Sequence, residues 1–250
     1  MPSLNEEKNI ENAINSTLES FNIYNINGEI IVINDGSIDK TREIVENLMA
    51  NNKKIKLINH EKSKGIGLSF INGVKESKND IVVMFPGDNE NDPFDALSFF
   101  SLMNNVDIII PFIHNNEVRH KFRRLISSIY RFIINMTFGV NLNYTNGTVF
   151  YRRMILDNIS LISNGFFYQA ELLIKLIRKG YMFAEVPNFL SLRNSGKSKA
   201  TTIKSLINVI SNYIKLIIEI HIKRVESIKD YKKLDINSIS YKKYSKLNGN

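Results

Sequence analysis

Glu29-Ile30-Ile31-Val32-Ile33-Asn34-Asp35-Gly36-Ser37-Ile38-Asp39-Lys40-Thr41 is the stretch that decides the fold class. Its first half is a short unbroken apolar run, the pattern of a strand covered on both faces. Asp35-Gly36-Ser37 then turns the chain, with Ser37 or Asp39 placed to cap a helix carrying Ile44, Val45, Leu48 and Met49. The alternation continues downstream: Ile55-Lys56-Leu57-Ile58 predicts a strand, Leu68, Ile71 and Val74 a helix, and Ile81-Val82-Val83-Met84-Phe85 a strand stopped by Pro86-Gly87. Upstream, Ile10, Ala13, Ile14, Leu18 and Phe21 recur at three and four, one apolar helical stripe with Asn5 as its cap. Helix and strand in alternation mean an α/β fold, a mostly parallel sheet with helices on both faces. Ligands of such sheets bind beyond the carboxyl ends of the strands. Asp35 and Asp88 both fall there.

Further along, 107–111 reads as a strand, 121–138 as a basic helix, 146–152 as a strand, 168–179 as a helix and 182–186 as a strand. The expected organisation is one α/β domain over 1–200, an amphipathic helix over 201–225 and a basic tail over 226–250 with weak or no fixed structure. The apolar fraction of 43% and charged fraction of 23% are those of a soluble globular chain, which excludes a fibrous or largely disordered one. The absence of cysteine removes disulfides, thiol nucleophiles, zinc ribbons and iron–sulfur centres. A net charge of +8 points to an anionic partner. Nucleic acid would explain the charge as well, but no aromatic–basic stacking platform or recognition-helix pattern is present, so no nucleic-acid partner is expected. The four histidines have no metal-type spacing and read as surface or packing residues. The polar, acidic opening is not a secretory signal. The most apolar segment, 203–222, is interrupted by Lys204, Asn208, Asn212, Lys215 and Glu219. The expectation is a cytoplasmic chain that lies on a membrane without crossing it.

Four motifs could carry chemistry. Asp35, at a strand end, can accept hydrogen bonds from a nucleobase or ribose, or can belong to a plain capped turn. In Gly87-Asp88-Asn89-Glu90-Asn91-Asp92-Pro93, Asp88 and Glu90 suit a hard divalent cation shared with phosphates. The plainer alternative is an acidic loop with Asp92 capping a helix at Pro93. Lys64-Gly65-Ile66-Gly67 leads a loop into a helix, where phosphate is favoured. Arg193-Asn194-Ser195-Gly196-Lys197-Ser198-Lys199 reads either as a lid for a pyrophosphate or as a solvated linker.

Taken in order, Pro2-x-x-Asn5-Glu6, Asn34-Asp35-Gly36-Ser37-x-Asp39-x-Thr41, Lys64-Gly65-x-Gly67, Gly87-Asp88-x-Glu90-x-Asp92-Pro93 and Arg193-x-x-Gly196-Lys197-Ser198-Lys199 resemble glycosyltransferase family 2. The nearest branch is the dolichol-phosphate mannose synthase type, and the likeness runs from Pro2 to about Lys199. The resemblance implies a GT-A fold, a UDP- or GDP-sugar donor, Mg²⁺ or Mn²⁺, inversion at the anomeric carbon and a lipid-phosphate or glycan acceptor. Carried over by position, Pro2, Asn5, Glu6, Ser37 and Lys64 would line the nucleotide and Asp35 would contact the base. Asp88 and Glu90 would hold the metal against the diphosphate, with Arg193 and Lys199 clamping the pyrophosphate. Glu171, in Gln169-Ala170-Glu171, would be the general base for a hydroxyl acceptor; a phosphate acceptor needs none.

Three departures stand out. Pro86 replaces the usual first aspartate of the metal motif, Pro111-Phe112-Ile113 lacks a common arginine, and Met1 stands where relatives have an apolar strand. The first central strand is therefore expected to be missing, its neighbours left unpaired, and the natural start to lie upstream. These departures also define an alternative, a catalytically degenerate relative serving as a binding or scaffold protein. Helices 121–138 and 201–225 pair apolar faces with Arg and Lys as interfacial helices do, which implies peripheral contact with the inner face of a membrane. Packing on the domain or a dimer contact would produce the same pattern.

Overall fold

Successive strand residues serve opposite apolar cores: Ile108 and Ile110 enter one, Ile109 the other, as the period-two pleat requires. In the computed structural model, described over residues 1–115, 121–157, 159–188, 203–223 and 233–248, two sheets share these cores. Strands β1 (Pro2–Ser3), β2 (Ile30–Asn34) and β3 (Ile55–Asn59) pair in parallel in the order β1-β2-β3. The second sheet has the order β4-β6-β5-β7, from β4 (Ile81–Val83), β5 (Ile108–Ile113), β6 (Phe150–Arg152) and β7 (Phe183–Asn188). Here β6 runs antiparallel to both neighbours, while β5 and β7 are parallel. The helices are α1 (Ile10–Ile23), α2 (Thr41–Asn51), α3 (Ile66–Glu76), α4 (Pro93–Leu97), α5 (Lys121–Phe138), α6 (Tyr168–Lys179), α7 (Ile203–Ile217) and α8 (Ile239–Leu247). A π-helical turn, Ile218–Ile222, prolongs α7. The expected α/β alternation is thus present, with shorter strands at 81–83 and 150–152 than the apolar runs suggested.

The first strand, expected to be missing, is present but only two residues long. It stitches the two sheets together. Met1 and Ser3 carbonyls accept from Ile33 and Asp35 on one side, and the Pro2 carbonyl accepts from Gly87 N at 3.0 Å on the other. Beyond this stitch the sheet opens into a cavity of about 410 Å³, bounded by Ile31 and Ile33 of β2, Val82 and Val83 of β4, and Phe21 and Phe70 from the flanking helices. The Met1 ammonium donates to Ile31 O at 2.7 Å, and burial lowers its pKa to about 5.

The tail needs a correction. Residues 233–248 are not featureless: α8 docks on the sheet through Asp107, which is fully buried at the start of β5. The Asp107 carboxylate accepts from Ile239 N at 2.9 Å, Ser240 N at 2.8 Å, the Ser240 hydroxyl and Arg152 Nε at 3.2 Å. An anion at a helix N-terminus satisfies donors that the helix itself cannot. The window Ser205–Ile222 has a mean hydropathy of 1.3 and, by length and composition alone, is apolar enough to cross a membrane. Lys215 and Glu219 are the acidic or basic residues within it.

Candidate functional site

Four loops meet at the carboxyl ends of β1 to β4, and Asp35 organises them. It is 4% exposed. Its carboxylate accepts from His60 Nδ1 at 2.7 Å, Ser63 Oγ at 2.7 Å, Lys64 N at 2.8 Å and Gly65 N at 3.1 Å. Burial pushes the Asp35 carboxyl up, but hydrogen bonds from His60, Lys64 N, Ser63 and Gly65 N outweigh it and hold the pKa below the ordinary value. His60 completes the arrangement through a hydrogen bond between its Nε2 and Asn72 Nδ2 at 2.9 Å, so the ring bridges Asp35 and α3. In this structure the Asp35 carboxylate, which the resemblance would give to the base, is engaged by the 60–65 loop and supports it from beneath.

What Asp35 shapes is the glycine turn that opens α3. Gly65 adopts φ +95, and a Cβ there would lie 2.5 Å from Asn164 O. Only glycine fits both conditions. Gly67 N donates to that same Asn164 oxygen at 2.9 Å, and exposed Lys64 stands at the mouth of the turn.

The neighbouring wall is laced from two segments distant in sequence. Asn5, in the left-handed region at φ 57, accepts from Ile38 N through its side chain at 2.9 Å, while its own N–H donates to Ser37 Oγ at 2.9 Å. Glu6 N donates to Thr41 Oγ1 at 2.8 Å, and the Glu6 carboxylate accepts from Asn9 Nδ2 at 2.8 Å. Pro2 is buried in β1. Pro2, Asn5, Glu6 and Ser37 thus come together with Asp35 and Lys64.

Gly87 carries the acidic loop onto this wall. Its N–H meets Pro2 O, and a Cβ would lie 2.3 Å from Ser3 Oγ, so glycine is required for the close approach. Asp88 Oδ1 accepts from Glu90 N at 3.2 Å around Asn89, which is itself left-handed at φ 57. Asp92 caps α4, accepting from Phe94 N at 2.9 Å with Pro93 in the first turn, as expected. Among the described residues no cluster of three or more Asp, Glu, His or Cys could hold a metal. The two carboxylates Asp88 and Glu90, on one loop, nevertheless fit Mg²⁺ or Mn²⁺, which take one or two carboxylates and complete their shells with phosphates and water. Arg193 and Lys199, the expected clamp, lie outside the described residues.

Glu171 is not at the mouth. It is fully buried in α6, accepting from Ile162 N at 2.7 Å, Ser163 N at 2.9 Å and Lys175 Nζ at 2.9 Å. The residue that the resemblance would make a general base is thus engaged on every side and closed off from solvent in this structure. Sequence reasoning missed His60, Ser63 and Asn164 as parts of the site. None of the three belongs to a motif itself, although Ser63 directly precedes Lys64-Gly65; only Asp35, fixed at a strand end, could have signalled that something must satisfy it.

Comparisons with known proteins agree with this geometry. A sequence profile described as glycosyl transferase family 2 matches residues 1–160. The chain is 27% identical over 211 residues to a dolichol-phosphate mannosyltransferase of Pyrococcus furiosus, covering 80% of this chain and 57% of that one. It is 36% identical over 110 residues to a UDP-N-acetylglucosamine–dolichyl-phosphate N-acetylglucosaminyltransferase of Methanococcus voltae, covering 38% and 42%. It spans about half the length of these relatives. Its fold is similar to glucosyl-3-phosphoglycerate synthase from Mycobacterium tuberculosis, crystallised with Mn²⁺, UDP and phosphoglyceric acid (TM-score 0.64, 19% identity, 86% of this chain and 76% of that one).

Proposed function

The chain belongs to glycosyl transferase family 2 and is a GT-A glycosyltransferase, and on that footing we propose that it moves a sugar from a UDP- or GDP-sugar to a polyprenyl phosphate, with inversion at the anomeric carbon. The observation that carries this reading is the convergence of the Asp35-supported glycine turn, the Asn5–Ser37 wall and the Asp88 loop at one end of the sheet. A glycine turn opening a helix offers backbone N–H groups and positive dipole to a diphosphate, and exposed Lys64 adds charge. Asp88 and Glu90 would hold Mg²⁺ or Mn²⁺, which supplies electrostatic stabilisation of the leaving diphosphate. Pro86 leaves both of these carboxylates in place.

The burial of Glu171 favours a phosphate acceptor over a glycan hydroxyl. A phosphate is ionised at neutral pH and attacks without a general base, whereas a hydroxyl needs one. The names of the Pyrococcus and Methanococcus relatives, both dolichol-phosphate transferases, support the same choice. A lipid acceptor also accounts for the apolar surface of α5 and α7, which we read as lying peripherally on the inner face of a membrane.

Calorimetric titration of UDP and GDP, with and without Mn²⁺, against wild type and Asp88→Ala tests the reading. Micromolar, Mn²⁺-dependent binding of one nucleotide is expected, weakened at least tenfold in the variant, on the order of 1.4 kcal/mol. A folded wild-type chain that binds neither nucleotide would replace the enzyme reading with the degenerate, non-catalytic relative.

A further inference from the structure

The loop from Ile159 to Gly165 lies between the glycine turn and the inner side of α7, and a buried ion cluster fastens it there. Glu171 holds the N–H groups of Ile162 and Ser163. Lys175 bonds Glu171 at 2.9 Å, Ser160 O at 2.8 Å and Glu219 Oε1 at 3.0 Å, the last on the turn that prolongs α7. Glu171 is 0% and Lys175 1% exposed. Charges at that depth persist only where each is paired, and loss of one strands the other. From α7 itself, Asn212 Nδ2 donates to Ser163 Oγ at 3.3 Å. On its opposite side the loop offers Asn164 O to Gly67 N, and packs that oxygen against Gly65 too closely for any side chain.

We propose that Glu171 and Lys175 are positioning residues that set the 160–165 loop, and through it the Lys64–Gly67 turn, in register with α7. The proposal rests on the donor-site reading above. The reasoning is mechanical: the turn has two supports, Asp35 from below and Asn164 from the side. The first is anchored to β2. The second is anchored to α6 and to α7, whose outer face carries the exposed apolar surface. Seating of α7 is therefore transmitted to the N–H groups that receive the diphosphate, and no bond to substrate is made by either charged residue.

The test compares the full chain with Glu171→Gln, Glu219→Gln and Asp107→Asn. Asp107 is a buried carboxylate bonded to Arg152 and α8 rather than to this loop, so its variant controls for lost stability alone. Three readouts apply: thermal melting, affinity for UDP and GDP with Mn²⁺, and hydrogen exchange of the Ile66–Leu68 amides. Expected are affinity losses of about tenfold for Glu171→Gln and about threefold for Glu219→Gln, with faster exchange at Ile66–Leu68 in both. Asp107→Asn lowers the melting temperature and leaves affinity and that exchange unchanged. If Glu171→Gln fails to fold, Glu219→Gln decides, since Glu219 sits nearer the surface. Wild-type nucleotide binding with unaltered affinity and exchange in the folded glutamate variants overturns the proposal while leaving the donor reading intact. A wild type that binds neither nucleotide overturns both.

Discussion

Asp35 gathers four donors from a loop that follows it by 25 to 30 residues, and its value is felt as acid stability. Its folded pKa lies below its ordinary value of 3.8, so the stabilisation is fully present above that value and is lost as pH falls through it towards the folded pKa. Asp35→Asn is expected to cost about 1–3 kcal/mol at neutral pH, since an amide cannot accept from all four donors. Urea unfolding between about pH 5 and 3 should show a shallower acid limb for the variant than for wild type. Equal slopes would mean that other carboxylates govern acid unfolding. Gly65 is the companion case. Gly65→Ala brings a methyl to 2.5 Å from Asn164 O at φ +95, and a loss of about 1–3 kcal/mol with weaker nucleotide binding is expected. Of these two residues the sequence marks positions and types; it does not show that Asp35 faces the loop rather than a base.

At the scale of elements, the split sheet and the docked tail carry the predictions. β1 pairs at Pro2 and Ser3 only, and a largely apolar cavity lies beyond it between β2 and β4. Extending the chain before Met1 by five alternating Val and Ile residues is expected to raise the melting temperature, by several degrees for each ~1 kcal/mol gained, whereas a Gly-Ser extension of equal length should not. Identical melting of the two would show that the cavity does not accept a strand. In the second sheet, Asp107→Ala leaves Arg152 without its carboxylate and the Ile239 and Ser240 amides of α8 without their acceptor; a loss of about 3 kcal/mol or more is expected by urea unfolding. Truncation after Lys232 should reproduce most of it. The strands and α1, α2, α3 and α6 were legible because each carries its own period and turn residues. α8 was not, because its hydrophobicity is weak and the acceptor of its first-turn amides, Asp107, lies 132 residues earlier.

Over the whole molecule, α5 and α7 sit side by side, Thr137 Oγ1 and Tyr213 OH meeting at 2.7 Å and Phe138 packing edge-on against Tyr213. Their outer faces expose Leu125, Phe132 and Met136 from one helix and Ile207, Ile210 and Ile222 from the other. Large apolar patches on a folded surface mark an interaction site, and the net charge of +8 suits an anionic bilayer. Co-sedimentation with phosphatidylglycerol-containing vesicles is expected, reduced at least fivefold by Phe132→Glu with Ile210→Glu and weakened by salt, as roughly 1 kcal/mol per basic contact implies. Binding that ignores both substitutions would place the membrane contact elsewhere. By itself the sequence determined the α/β alternation, the glycine turns and the carboxylates at the strand ends, because period and turn chemistry are local properties of a few residues. Only the tertiary structure decided that Glu171 is walled in, that Asp35 supports a loop and that the tail is docked. Burial and hydrogen-bond partnership belong to residues brought together from far along the chain, and no local pattern records which of them will meet.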